Sequence, residues 1–316
     1  MEYRKLGFSG LKVSELSFGS WVTFGKQVDI EAACLSLKYC LDQGINFFDN
    51  AEVYANGRSE EIMAESFRKL GVHRNEYVLT TKFFWGIEDR INFKNTLNRK
   101  YLRQAIEGSL KRLNTDFVDV VYCHRLDPET PLFEIVNTMS QMIDRGQALY
   151  WGTSEWPAQA IAQAANIAFE FGLHPPIVEQ PQYNLLCRDK VETEFADLYD
   201  KIKLGLTTWS PLSSGVLTGK YLKEIPQNSR LGMPSMSWLK EDVLSPNNLI
   251  KTKALQSISQ QSGISMSHLS IGWCLLNPHV STVILGASNL EQLKQNIDTL
   301  KFMPQIRELK KQLDLI

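Results

Sequence analysis

No charge of either sign predominates in this chain: 34 lysines and arginines stand against 35 aspartates and glutamates, a formal net charge of -1. Such balance gives no long-range attraction to nucleic acid or to an anionic membrane surface, so the expected partner is a small molecule. Cysteine is scarce. The five present, Cys34, Cys40, Cys123, Cys187 and Cys274, form neither an even framework nor a C-x-x-C pair with metal-ligand spacing. A disulfide scaffold and a metal site are therefore not expected, and a reducing, cytoplasmic compartment suits the chain. Glycine and proline, at 19 and 12, are too few for a disordered or fibrous chain. There is no run of about 18 apolar residues, and the N-terminal MEYRKLGFSG contains no apolar segment of the secretory kind, so neither membrane insertion nor processing is expected. G-x-G-x-x-G after an early strand is also missing, which argues against a doubly wound dinucleotide fold.

What the chain does have is length enough for a large core, with 43% hydrophobic residues over 316 positions, and a regular alternation of two patterns. Residues 3 to 19 read as a short hairpin around Gly7 to Gly10, then a first strand near Leu16 to Gly19; such a hairpin would cap the bottom of a barrel. Asp29 is expected to cap a helix with Ile30, Cys34, Leu37 and Leu41 on one face, and Gly44 ends it. The strand INFFD, a helix from about Ser59 to Leu70, the strand YVLTTK, a helix carrying Leu102, Ile106, Leu110 and Leu113, and the strand FVDVVYCH follow in turn. A helix with Leu132, Ile135, Met139, Met142 and Ile143, the strand ALYWGTSE, a helix over 158–171, the strand PIVEQPQYN and a helix over 191–202 continue the series. LGLTTWSPL and STVILGAS are the seventh and eighth strands. Eight strands alternating with helices and no break in composition predict one α/β domain over 1–316, a (β/α)8 TIM barrel with an N-terminal hairpin cap. Residues 212–247, rich in Ser, Gly, Pro and Asn, are too long for a simple connection and read as a lid after the seventh strand.

Three successive strands end on Asp49, Lys82 and His124, and Tyr54 lies just past the first. The C-terminal strand ends of a parallel barrel gather around one mouth, so these four groups are expected to meet. A buried aspartate needs a cation, and Lys82 supplies one. An ammonium beside a phenol stabilises the phenolate, which would make Tyr54 a tunable proton donor, with His124 orienting a substrate oxygen. The set has no evident nucleophile, so electrons would have to come from a hydride-donating cofactor. A Cys123–His124 nucleophile pair is disfavoured, because adjacent strand residues face opposite ways. His73, His174, His268 and His279 read as surface or packing histidines. In LGASNLEQL, Gly286 closes the eighth strand and Ser288 with Glu291 reads as a capping box whose helix start would bind phosphate. Lys220 and Arg230 could add charge there, and two cations suit a doubly charged phosphate. Trp21 and Trp85 follow strand ends and would line a substrate pocket that favours apolar compounds.

The order and spacing of Asp49, Tyr54, Lys82 and His124 resemble the catalytic tetrad of the aldo-keto reductases. GSWVTFG, FFDNAEVYANGRSE, YWGTSEW, TWSPLSSGVLTGKY and ILGASNLEQL are similar to its voltage-gated potassium channel β-subunit-like branch, and the resemblance runs from Tyr3 to about Asn296. It implies hydride transfer from NADPH to an aldehyde or ketone, with Tyr54 as general acid, Lys82 as modifier of its acidity, Asp49 as anchor and His124 as orienting donor. The family's cofactor contacts fall on Trp21, Ser154, Gln180, Trp209, Ser210, Pro211, Leu212, Ser214, Gly215, Lys220, Arg230, Gly286, Ser288, Gln292 and Asn296. Lys220, Ser288 and Arg230 would hold the 2'-phosphate, hence NADPH/NADP+ over NADH. The alternative that the branch suggests is a cofactor-sensing regulatory β-subunit of a membrane channel with weak turnover. Animal channel subunits carry asparagine where this chain has His124, and Met1 stands directly before the hairpin without a pore-plugging extension. Both features favour a working reductase. Gln295 replaces a glutamate that faces the adenine and Glu155 replaces an arginine, which changes the expected adenine contact and the charge beside Ser154. Since many of the family are monomers and this branch often forms tetramers or larger rings, the resemblance leaves homo-oligomerisation open.

Overall fold

The computed structural model describes residues 1–21, 30–227, 229–233 and 239–316. Eight parallel strands close into a barrel: β3 (Leu16–Gly19), β4 (Phe47–Asp49), β5 (Val78–Phe83), β6 (Val118–Cys123), β7 (Ala148–Ser154), β8 (Val178–Gln180), β9 (Gly205–Thr208) and β10 (Val280–Leu285). Neighbours around the ring follow chain order, and β10 closes it against β3. This is the expected TIM barrel. Helices α1 (Ile30–Asp42), α2 (Arg58–Leu70), α3 (Arg99–Leu113), α4 (Leu132–Asp144), α5 (Ala158–Glu170) and α6 (Ala196–Lys201) follow β3 to β8 in turn.

The hairpin, β1 (Tyr3–Lys5) against β2 (Lys12–Ser14), closes the N-terminal end of the barrel. Its tip sends Leu6 and Val13, both fully buried, among Phe47, Val78, Val120 and Val178. Burying side chains of that size stabilises by roughly 1.5–3 kcal/mol each. Gly7 makes this approach possible: its φ is +57°, and a Cβ there would come within 2.1 Å of the Ile177 carbonyl oxygen. With one end of the barrel plugged, the strand termini at the other end form its mouth.

Two sequence expectations shift. The face of α1 that meets the barrel is Ala33, Ser36, Leu37 and Cys40, while Ile30, Cys34 and Leu41 are only half covered. Small side chains sit at the point of closest approach, so reading apolarity alone rotates the face by about a residue. Asp29, expected to cap this helix, lies outside the described residues. The second shift lies between β9 and β10, where α7 (Leu239–Val243), α8 (Pro246–Ser262) and α9 (Met266–Leu275) follow two short 3-10 turns, Ser213–Thr218 and Arg230–Gly232. The expected lid, 212–247, thus runs into the first turn of α8. Both later helices carry start signals: Ser245 caps α8 with Pro246 at its first position, and Ser265 caps α9. Neither shows a clear apolar stripe, since α8 buries only Thr252 and Leu255 while α9 buries Met266 and every residue from Leu269 through Leu275. After β10 the chain ends in α10 (Leu290–Ile297), α11 (Met303–Glu308) and α12 (Lys310–Leu313).

Candidate active site

Asp49 ends β4 and Lys82 is the penultimate residue of β5. The Lys82 Nζ lies 2.5 Å from Asp49 Oδ2, and both side chains are buried, at 0% and 3% exposure for the residues. Asp49 Oδ1 accepts from Thr80 Oγ1 at 2.8 Å and Gln180 Nε2 at 2.9 Å. The ammonium also donates to the Asn50 carbonyl at 2.7 Å and to the Tyr54 hydroxyl at 3.3 Å. All three of its N–H groups are thereby used, which is how a buried ion pair offsets its desolvation. Tyr54 opens the 3-10 turn Tyr54–Gly57, where Ala55 and Asn56 take left-handed φ values of 50° and 52°. Gly57, at φ +87°, hands the chain to α2, and a Cβ there would stand 2.7 Å from Arg112 Cδ. A left-handed alanine costs about 1–2 kcal/mol, so the turn that presents Tyr54 is held by its surroundings. The His124 ring, just after β6, packs edge-on to Tyr54 with centroids 5.9 Å apart, and Cys123 faces the helices instead.

The expectation is that Lys82 makes the phenol more acidic, and burial works in the opposite direction. Burial pushes Tyr54 well above its ordinary value and the charge of Asp49 adds to this, while Arg125 is the cation that opposes it. Burial also weakens the hold of Lys82 on its proton, with Asp49 opposing. His124 is pushed well below its usual range by burial, then by Lys82 and Arg125, so the imidazole is neutral, and its buried Nδ1 has no hydrogen-bond partner among the described residues.

These groups open onto a cavity of about 1030 Å³, and every residue expected at the cofactor or substrate, from Trp21 to Asn296, lines it. Lys82 alone of the expected site lies behind the lining. The mouth brings Trp21 and Trp209 edge to face at 6.3 Å, and Trp85 within 6.3 Å of His124. Several expected contacts are already engaged. The Gln180 amide is bound to Asp49, and Trp209 Nε1 donates to Glu155 at 3.0 Å. Glu155 also accepts from the Gln182 backbone and pairs with Lys190 at 2.9 Å, so it braces the strand ends. Ser288 is not the helix cap: Asn289 caps α10, and the Gln292 side-chain oxygen instead accepts from both the backbone and hydroxyl of Ser288. An Asn one residue later competes for the same role, which the S-x-x-E pattern conceals. Sequence reasoning passed over Arg125, which lines the same cavity.

The lining suits a phosphorylated dinucleotide. Ser210, Ser213 and Ser214 have φ values of 57°, 46° and 54° and Gly215 of 95°, a run of left-handed backbone of the kind that forms anion-binding concavities. Lys220 and Arg230 have no carboxylate partner among the described residues, and the guanidinium carbon of Arg230 lies 5.3 Å from the Trp21 ring centroid. A Cβ on Gly286 would meet nothing within 4 Å, so the wall is open there.

Barrel, hairpin and the cluster at the mouth define an aldo/keto reductase: residues 15–313 match the Aldo/keto reductase family, and the chain belongs to it. Over 305 residues it is 52% identical to the probable voltage-gated potassium channel subunit beta of Oryza sativa subsp. japonica and 50% identical to that of Arabidopsis thaliana. Each alignment covers 96% of this chain and 92% of the relative. Among the described residues no helix is long and apolar enough to cross a membrane.

Two buried carboxyls support the site from behind. Glu52 lies two residues before Tyr54, and Glu179 precedes Gln180 and accepts from the Thr153 hydroxyl. Burial pushes each from 4.5 up to about 8. The folded state therefore keeps protons that the unfolded chain releases above about pH 4.5, and the stability they contribute is lost as pH rises through about 8. The limit is roughly 1.4 kcal/mol per group per pH unit. The thermal midpoint is expected to fall between pH 6 and pH 9, and replacing both residues by Gln should flatten that slope. A slope unchanged in the double variant would assign it to other groups.

Proposed function

We propose that the protein is an NADPH-dependent reductase that converts aldehydes or ketones to alcohols, with Tyr54 as general acid. The observation that carries this reading is the Asp49–Lys82–Tyr54 chain of contacts at 2.5 and 3.3 Å, at the wall of a cavity whose lining includes Lys220 and Arg230, which have no carboxylate partner among the described residues. Bound NADPH would supply a hydride to the carbonyl carbon and leave as NADP+. Tyr54 gives its proton to the carbonyl oxygen as charge develops there, and because an alkoxide is a much stronger base than a phenolate, even a raised phenol can do so. Lys82 then stabilises the phenolate, Asp49 holds the ammonium in place, and neutral His124 orients the oxygen. Lys220, Arg230 and Ser288 are assigned to the 2'-phosphate, and the remaining lining residues from Trp21 to Asn296 to the rest of the cofactor. Trp21 and Trp85 flank the substrate. Residues 1–316 act as one domain, with 212–247 as a lid over the cofactor, in the cytoplasm.

Loss of NADPH absorbance with 4-nitrobenzaldehyde, matched by formation of the alcohol, tests the reaction. Lys220→Ala is expected to weaken NADPH by roughly 10- to 100-fold, the worth of a charge-assisted hydrogen bond, while NADH binding changes little. Equal losses for both dinucleotides would remove the phosphate assignment. The names of the rice and Arabidopsis relatives favour a second reading, a regulatory β-subunit of a membrane channel that senses the cofactor. Tight NADPH binding without turnover on any carbonyl, together with co-purification of an integral membrane protein, would select it.

A further inference from the structure

Arg125 is the one cation of the cavity wall contributed by the exit of β6, directly after His124. Its Nη1 donates to the His124 carbonyl at 2.5 Å and reaches Ser154 Oγ at 3.5 Å, and its guanidinium carbon lies 5.8 Å from the Trp85 ring centroid. Both of those bonds use Nη1, so the edge formed by Nε and Nη2 has no hydrogen-bond partner among the described residues. No carboxylate among the described residues pairs with it either, and Asp49 of the site is engaged by Lys82. A half-buried, always-charged group with an unused two-donor edge at a cavity wall is built to receive an anion. The cofactor's phosphate is not that anion. Lys220 and Arg230 follow β9, and around the barrel β6 lies three strands from β9 and four from β10.

We propose that Arg125 binds a carboxylate carried by the carbonyl substrate, so that the preferred substrates are oxo-acids with an apolar body rather than neutral carbonyl compounds. The proposal rests on the reductase reading and narrows it. A carbonyl oxygen placed between Tyr54 and His124 leaves the substrate's body against Trp85, whose ring lies 6.3 Å from the His124 ring and 5.8 Å from the Arg125 guanidinium carbon. The far end of such a molecule meets the free guanidinium edge. Two parallel N–H donors and a single charge match a planar, singly charged carboxylate, whereas a phosphate dianion would leave one charge unbalanced.

The test compares 4-carboxybenzaldehyde with its methyl ester, which has the same body without the charge. For the wild-type protein the kcat/KM ratio of acid to ester should exceed one and fall with added salt. Arg125→Met should lower that ratio by roughly 10- to 100-fold, mainly through KM, and Arg125→Lys should recover part of it, since the charge remains and the fork is lost. Isothermal titration of both compounds into the NADP+-loaded protein, which cannot reduce them, gives a second readout that needs no turnover. Proportional losses for acid and ester in both measurements would overturn the proposal and make Arg125 a brace for His124 and Ser154. If neither compound turns over but the acid binds in an Arg125-dependent way, the carboxylate site stands and the reductase reading falls. If the acid binds no better than the ester, the carboxylate site falls whatever the turnover.

Discussion

Tyr54→Phe is expected to lower kcat for NADPH-linked carbonyl reduction by roughly 10²- to 10⁴-fold, the range for losing a positioned general acid, with the fold left intact. The two halves of that expectation come from the same geometry. The phenol's hydrogen bond is the 3.3 Å contact from Lys82, the longest of the three that this ammonium makes. Removing the hydroxyl leaves Asp49 and the Asn50 carbonyl on Lys82, and the ring keeps its packing against His124. The thermal midpoint should therefore move by no more than a few degrees, which about 1 kcal/mol would produce. Cofactor affinity, followed by fluorescence titration, should be unchanged within a factor of a few, because the hydroxyl is not among the groups assigned to the dinucleotide. A Phe variant with undiminished turnover would remove Tyr54 from the mechanism, and one that unfolds would make the loss of activity uninterpretable as chemistry. Tyr54→Trp, which also lacks the phenol, then separates the two by its own midpoint and rate.

The residues of this cluster were legible from sequence because of how a parallel barrel is built. A strand buried on both faces reads as an apolar run, and its last residue stands out when it is Asp49, Lys82 or His124. The apposition of those ends follows from closure alone, as the registers of Asp49 with Thr80 and Lys82 with Tyr122 illustrate. What escaped lacked such contrast. Arg125 follows a strand end that His124 already marks, and an arginine at the start of a loop reads as a solvated charge. Helix α9 is buried on every side from Leu269 through Leu275, so its apolar residues show no period to detect. The α1 face is set by Ala33 and Ser36, which earn their place by being small. Nor does sequence show that burial outweighs Lys82 at the Tyr54 phenol, since desolvation depends on how deep the mouth lies.

Lys82→Met should abolish turnover and also destabilise the fold, and the second effect separates it from the tyrosine variant. Asp49 is 3% exposed, and without Lys82 its carboxylate keeps only the Thr80 hydroxyl and Gln180 amide as partners. Stranding one member of a buried pair costs about 3–5 kcal/mol, which for a chain of this size lowers the thermal midpoint by on the order of 10 °C. Asp49→Asn strands the ammonium instead and should cost a similar amount. Because both losses arise from breaking the same buried pair, the double variant should be more stable than either single variant, which requires a coupling larger than one single loss, about 3–5 kcal/mol, and should recover none of the activity. Stability and catalysis would then part company at one contact: a neutral Asn–Met pair fills the space, but nothing is left to stabilise the phenolate. Strictly additive midpoint losses would mean that the two charges do not share a desolvation penalty, which a 2.5 Å contact between wholly buried groups requires them to do.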